Sequence, residues 1–197
     1  MTRPLHLPAL LGIAVSALLP SLALAHTGAD GGHHQGFATG FIHPLTGLDH
    51  LLAMLSVGVW TVLSAPKAGL RAWAAAPASF ALLLLLGALL TQAGWALPTV
   101  EPMIALSLLV LGVMVVLRQA LPTAYGAALV GGFALFHGAA HGHELSGAAA
   151  LLGVVLASAL LHGLGLCLGH LLCHRSMWLG RLLGLGPIAV GTVLLWA

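Results

Sequence analysis

From residue 42 to residue 196 the chain reads as six long apolar runs separated by short interruptions. The runs fall near 42–64, 71–92, 100–118, 122–141, 146–172 and 178–196. At 1.5 Å of rise per residue, each is long enough as a helix to cross a hydrocarbon core about 30 Å thick. Stretches such as FALLLLLGALL and IALSLLVLGVMVVL do not alternate polar with apolar positions, so they predict helices and not the strands of a membrane barrel. The interruptions APKAG, GWALP, QALP, GHELSG and CHRSM each carry proline, glycine or a charge. The expected fold class is all-α: a polytopic membrane protein whose residues 26–197 form one domain of six transmembrane helices.

The N-terminal pattern is of another kind. Arg3, an apolar core over residues 7–22 and Ala23-Leu24-Ala25 make residues 1–25 read as a cleavable signal peptide, with an uncleaved first helix as the alternative. Cleavage starts the mature chain at His26, outside the cytoplasm, and six spans return the C-terminus to the same side. On that orientation Lys67, Arg71, Arg118, Arg175 and Arg181 all face the cytoplasm, which accounts for every Lys and Arg of the mature chain. The expected location is the bacterial inner membrane, with a periplasmic N-terminus. Trp60, Trp73, Tyr125 and Trp178 fall near the cytoplasmic edge, and Trp95 and Trp196 near the outer edge, as an interfacial aromatic belt would. Residues 26–41 open as a polar outer tail, whose HTGADGGHHQ segment reads as flexible.

Composition agrees with this picture. The chain is 60% hydrophobic with a mean hydropathy of +1.09, and only 5% of its residues are charged, too few to cover a water-facing surface. The partner surface is therefore the lipid bilayer, and a net charge of +2 gives no footprint for nucleic acid. Cys167 and Cys173, six apart on one helix, are badly placed for a disulfide and read as packing residues. Gly165 with Gly169, and Gly180 with Gly184, have the small-xxx-small spacing that lets helices approach closely in lipid.

Against so little charge, two polar clusters stand out: HPLTGLDH at 43–50 and FHGAAHGHE at 136–144. The first opens a span that starts outside and the second closes a span that ends outside, so topology puts both at the outer end of the bundle. His137, His141 and Glu144 are spaced i, i+4 and i+7, on one helical face, as are His43 and His50 at i and i+7; His143 is off the stripe. Asp49 is a hundred degrees from His50 and suits either a ligand or an outer partner of one. Ionisable groups at membrane depth are costly unless paired or hydrated. Imidazole with carboxylate is a ligand set for first-row divalent metals, nickel, cobalt, copper and zinc among them. A hydrogen-bonded polar plug or a metal-free proton relay is the alternative. Two outlying groups extend the idea: His26, Asp30, His33 and His34 of the tail as an outer capture set, and His162, His170 and His174 as a transfer path along the fifth span. For His170 and His174 the competing reading is cationic residues at a helix C-terminus.

The clusters also resemble the two signatures of the HupE/UreJ family of nickel permeases. HPLTGLDH is similar to a histidine, five residues, then Asp-His; FHGAAHGHE is similar to Phe-His-Gly-x-Ala-His-Gly-x-Glu. The resemblance implies a membrane permease for Ni2+, or Co2+, as the transported ion, serving hydrogenase or urease maturation, with His43, Asp49, His50, His137, His141 and Glu144 as its functional positions. The chain holds no Walker A motif, so it carries no ATPase of its own. Two other functions compete. An intramembrane metal hydrolase would use His50, His137 and His141 with Glu144 or Asp49, although no H-E-x-x-H motif is present. A sensor or chaperone would bind metal without moving it.

Overall fold

The computed structural model describes residues 34–175 and 177–197. The expected signal peptide, and His26, Asp30 and His33 of the tail, lie outside the described residues. The described chain is all-α apart from two paired dipeptides. Its helices are α1 (Phe37–Thr46), α2 (Leu48–Ser64), α3 (Leu70–Gln92), α4 (Val100–Leu117), α5 (Thr123–Glu144), α6 (Ala148–Cys173) and α7 (Met177–Trp196). Five of the six expected apolar segments are helices, α3 to α7, to within a few residues.

The first expected segment differs. Instead of one helix over 42–64, the chain bends by 80° between α1 and α2. The break is Gly47, whose backbone is extended (φ −75°, ψ 110°). Glycine is about 1 kcal/mol worse than alanine inside a helix, so continuing through it is weakly favoured at best. Here it closes one helix and opens the next: its N–H reaches the His43 carbonyl at 3.0 Å, and its own carbonyl accepts from Leu51 at 2.9 Å. A straight helix would set His50 about 10 Å along its axis from His43; the bend removes that separation.

Four helices, α3, α4, α6 and most of α7, are each long and apolar enough to cross a membrane, and the bent pair α1–α2 meets the same measure together. At 22 residues α5 is also long enough, but its glycines, three histidines and glutamate make it less apolar. The outward surface suits lipid. Leu152, Leu156, Leu160 and Leu164 recur every fourth residue along α6, each about half exposed. A continuous stripe of this kind is unfavourable in water and ordinary against acyl chains.

The centre of the bundle is α2, with 12 of its 17 residues buried. It packs on α3, α4, α6 and α7, while α3 lies along α5 and α4 along α7. Ala53, Met54 and Val57 of α2 join Phe80, Leu84, Leu108, Ala134 and Leu161 in one core. Close approach sets the α3–α5 pair. A Cβ on Gly138 would overlap the Leu84 carbonyl, and one on Gly87 would overlap the carbonyl of Leu135. The same holds for the expected small-residue pairs: Gly165 lies on the backbone of Leu55 and Gly184 on that of Gly112.

Two further expectations change. His34 and Gln35 (β1) do not belong to a free tail: they pair in parallel with Leu145 and Ser146 (β2), the two residues that follow α5. Trp60 does not join an aromatic belt either. It is buried, and its indole donates to the Gln119 carbonyl at 2.8 Å, tying α2 to the α4–α5 connection. Trp95, Tyr125, Trp178 and Trp196 are strongly exposed, as the belt requires. Cys167 and Cys173 are both free thiols.

Candidate metal centre

Two helix ends meet at one end of the bundle. The Gly47 bend folds His43, on α1, back over the first turn of α2, so that the rings of His43 and His50 lie 6.3 Å apart. The last two turns of α5 approach them. The His141 ring is 5.1 Å from that of His43 and 4.3 Å from that of His50, and His137 is 4.8 Å from His50. Glu144, on the final turn, places a carboxylate oxygen 2.7 Å from His43 Nε2. The six residues singled out by spacing and by signature are thus one cluster. What brings His43 to His50 is the bend, not the i, i+7 spacing, which on a straight helix would leave about 10.5 Å of rise between them.

The cluster is graded in exposure. His43 and Glu144 are about a quarter exposed, whereas His50, His137 and His141 are buried. Ligand atoms of His43, His141 and Glu144 all lie within 4.8 Å of one another. Two ligands on opposite sides of one ion, each at about 2.1 Å, span about 4.2 Å. Side-chain adjustments of well under 1 Å would therefore close these three around a cation. His141 is the most telling member. Both its ring nitrogens are buried and have no hydrogen-bond partner among the described residues. A buried polar group without a partner costs roughly 1–3 kcal/mol, a cost that a bound cation would remove at the nitrogen it takes.

For Asp49 the spacing allows either a ligand or an outer partner of one, and the structure shows its contact to His50. It is buried and lies against His50: one carboxylate oxygen accepts from the His50 backbone N–H at 2.8 Å and stands 2.9 Å from His50 Nδ1. A carboxylate only accepts, so Nδ1 carries a proton, and in the neutral ring Nε2 carries the lone pair. This is the carboxylate–histidine arrangement that orients metal-binding imidazoles.

Beyond the cluster, the Phe80 ring, fully buried, lies 5.6 Å from His137 and 5.0 Å from His162. His162 is itself buried; its Nδ1 is 3.3 Å from Ser158 Oγ, and its Nε2 has no hydrogen-bond partner among the described residues. His162 is therefore separated from the cluster by one aromatic ring. His170 is not near it: exposed towards the other end of α6, its ring is 5.9 Å from Trp73. His174, also exposed, lines a surface hollow with Lys67 and Cys173. His143 is exposed, off the cluster as its spacing predicts. For His34 the backbone pairing puts its residue opposite Leu145, next in sequence to Glu144.

Two contributors escaped the sequence reading. Ser107 of α4 is fully buried with its Oγ 2.9 Å from His137 Nε2, and Phe80 bridges two histidines. For Ser107 a signal existed, since it and Glu101 are the only strongly polar side chains in the helix VEPMIALSLLVLGVMVVL. For Phe80, one aromatic among leucines, none did.

The comparisons with known proteins bear on the chain as a whole. A model of the family described as HupE / UreJ protein matches residues 13–194. The chain belongs to the HupE/UreJ family. Members are accessory, permease-like membrane proteins and not enzymes, associated with nickel and cobalt uptake for hydrogenase or urease. Among relatives, this HupE/UreJ chain is 40% identical over 157 residues to Protein HupE of Rhizobium leguminosarum bv. viciae, covering 78% of each. No solved structure matches it.

Proposed function

We propose that this protein is a secondary permease that takes up Ni2+, and on the same ligand chemistry Co2+, across the bacterial inner membrane. Six spans, α1–α2 counting as one, would carry it, with the mature N-terminus periplasmic. The observation that carries the reading is an unbroken succession of side chains from the half-open mouth inwards: Glu144 and His43, then His141, His50 and His137, then Phe80, then His162, no ring more than 5.6 Å from the next. A sensor or a storage site needs one set of ligands. A path needs successive ones.

In this reading Glu144 and His43 meet the hydrated ion, and their partial exposure lets it exchange water for ligands stepwise. His141 and His50 complete the set, with Asp49 holding His50 in the metal-binding tautomer. Movement past Phe80 delivers the ion to His162, and the exposed His170 and His174 end the path at the cytoplasmic face. Residues His26, Asp30, His33 and His34 would gather metal ahead of the mouth; the pairing of His34 with Leu145, the residue after Glu144, supports this for His34. A divalent cation moving inwards gains about 4.6 kcal/mol per 100 mV, twice the single-charge value. Hydrogenase or urease maturation would consume the imported ion.

The test is uptake of radioactive nickel into cells lacking their own importers. Wild type would be compared with His50→Ala and His141→Ala at equal membrane abundance, with cobalt, zinc and copper as competitors. Uptake above the empty-vector level, lost in both variants and competed by cobalt, is the expected result. Metal binding by purified protein without any uptake would replace the permease with a sensor or chaperone.

A further inference from the structure

Ser107 lies on α4, a helix with no residue in either polar cluster, and touches the cluster at one point. Its Oγ has a single proton and two neighbours: the Ile104 carbonyl oxygen at 2.7 Å and His137 Nε2 at 2.9 Å. A carbonyl oxygen can only accept. If the hydroxyl proton went to the histidine, Oγ and the Ile104 oxygen would face each other at 2.7 Å as two acceptors with no hydrogen between them. The proton therefore goes to Ile104, and the hydroxyl can only accept from the ring. Nε2 must then carry a proton, and in the neutral ring Nδ1 carries the lone pair.

We infer that Ser107 is a positioning residue that locks His137 in the Nε2–H tautomer and so presents Nδ1 to the ion. The assignment rests on the reading of the cluster as a divalent-metal site. It also sets a contrast within that site. Asp49 accepts from the Nδ1–H of His50 and leaves Nε2 to the metal, whereas Ser107 accepts from the Nε2–H of His137 and leaves Nδ1. Two neighbouring imidazoles, 4.8 Å apart, thus offer opposite nitrogens, each set by a partner on the side away from the ion. Ser107 is completely buried, as is His137, so no bulk water competes for this hydrogen bond. A neutral hydroxyl, unlike the carboxylate of Asp49, fixes the tautomer without adding charge.

The experiment has two arms on the full chain in lipid nanodiscs. In the first, the metal-free protein carries 15N-labelled histidine, and the His137 signals are assigned by their loss in His137→Gln. Wild type should show a protonated Nε2 and a bare Nδ1; Ser107→Ala should lose that preference and Ser107→Thr, which keeps the hydroxyl, should retain it. A wild-type His137 protonated on Nδ1 overturns the inference. In the second arm Co2+ alone is titrated and its visible absorption followed. Ser107→Ala should bind about 10–100-fold more weakly, the range for lost outer partners of metal ligands, with shifted bands, and Ser107→Thr should resemble wild type. In a His137→Gln background Ser107→Ala should have no further effect. An equal loss in both backgrounds would make Ser107 a packing residue and overturn the inference. Wild type that binds no Co2+ while holding the Nε2–H tautomer would instead remove the metal reading and leave the tautomer lock standing.

Discussion

Replacing Asp49 by asparagine isolates one interaction. The two side chains are isosteric, and the asparagine oxygen can still accept from the His50 backbone N–H, now 2.8 Å away. What is lost is the charge behind the 2.9 Å contact to His50 Nδ1. A hydrogen bond to a charged group is worth about 1.5–3 kcal/mol and a neutral one about 0.5–1.5, so roughly 1–1.5 kcal/mol disappears. Losing an outer partner of a metal-binding histidine costs about 10–100-fold in metal affinity; because asparagine keeps a neutral contact, the loss should sit at the low end, close to tenfold, and burial of Asp49 leaves little solvent screening to reduce it. Isothermal titration of Ni2+ into the purified Asp49→Asn protein should give a Kd about ten times the wild-type value with unchanged stoichiometry. An unchanged Kd would refute the orienting role. Loss of all binding would refute it in the other direction, by making Asp49 a direct ligand.

Other consequences follow from single contacts. Gly138→Ala drives a Cβ into the Leu84 carbonyl; parting α3 from α5 should cost about 1–3 kcal/mol and also weaken metal binding, since His137 and His141 flank it on the same helix, which thermal melts with and without Co2+ would reveal. Trp60→Phe removes the indole donor to Gln119 and should lower stability by about 1 kcal/mol with metal affinity unchanged, because the contact is remote from the cluster. His162→Ala should leave equilibrium binding intact and abolish uptake; uptake at the wild-type rate would end the path at Phe80. Protons and metal compete for the same imidazole nitrogens, so initial uptake rates should fall as the external medium is made more acidic.

The helices were legible because lipid demands it. A span must satisfy its own backbone and expose apolar side chains, and both requirements are written locally in 20-residue runs. The two clusters were legible for a related reason: in a chain with ten charged residues and twelve histidines, polar groups recurring at helical spacing have few structural explanations. The sequence by itself also placed both clusters at one end, through topology alone. It did not determine the bend at Gly47. Gly163 sits in the middle of α6 without interrupting it, so glycine permits a break and packing decides whether one occurs. Here the seat of α1 on α6, where a Cβ on Gly40 would overlap the Ala150 carbonyl, holds α1 across the bundle and turns His43 towards His141. Nor could the sequence join Ser107 to His137, thirty residues away on another helix, or His34 to Leu145. Those pairings depend on how the helices lie against one another, and that is a property of the packed bundle which no single segment encodes.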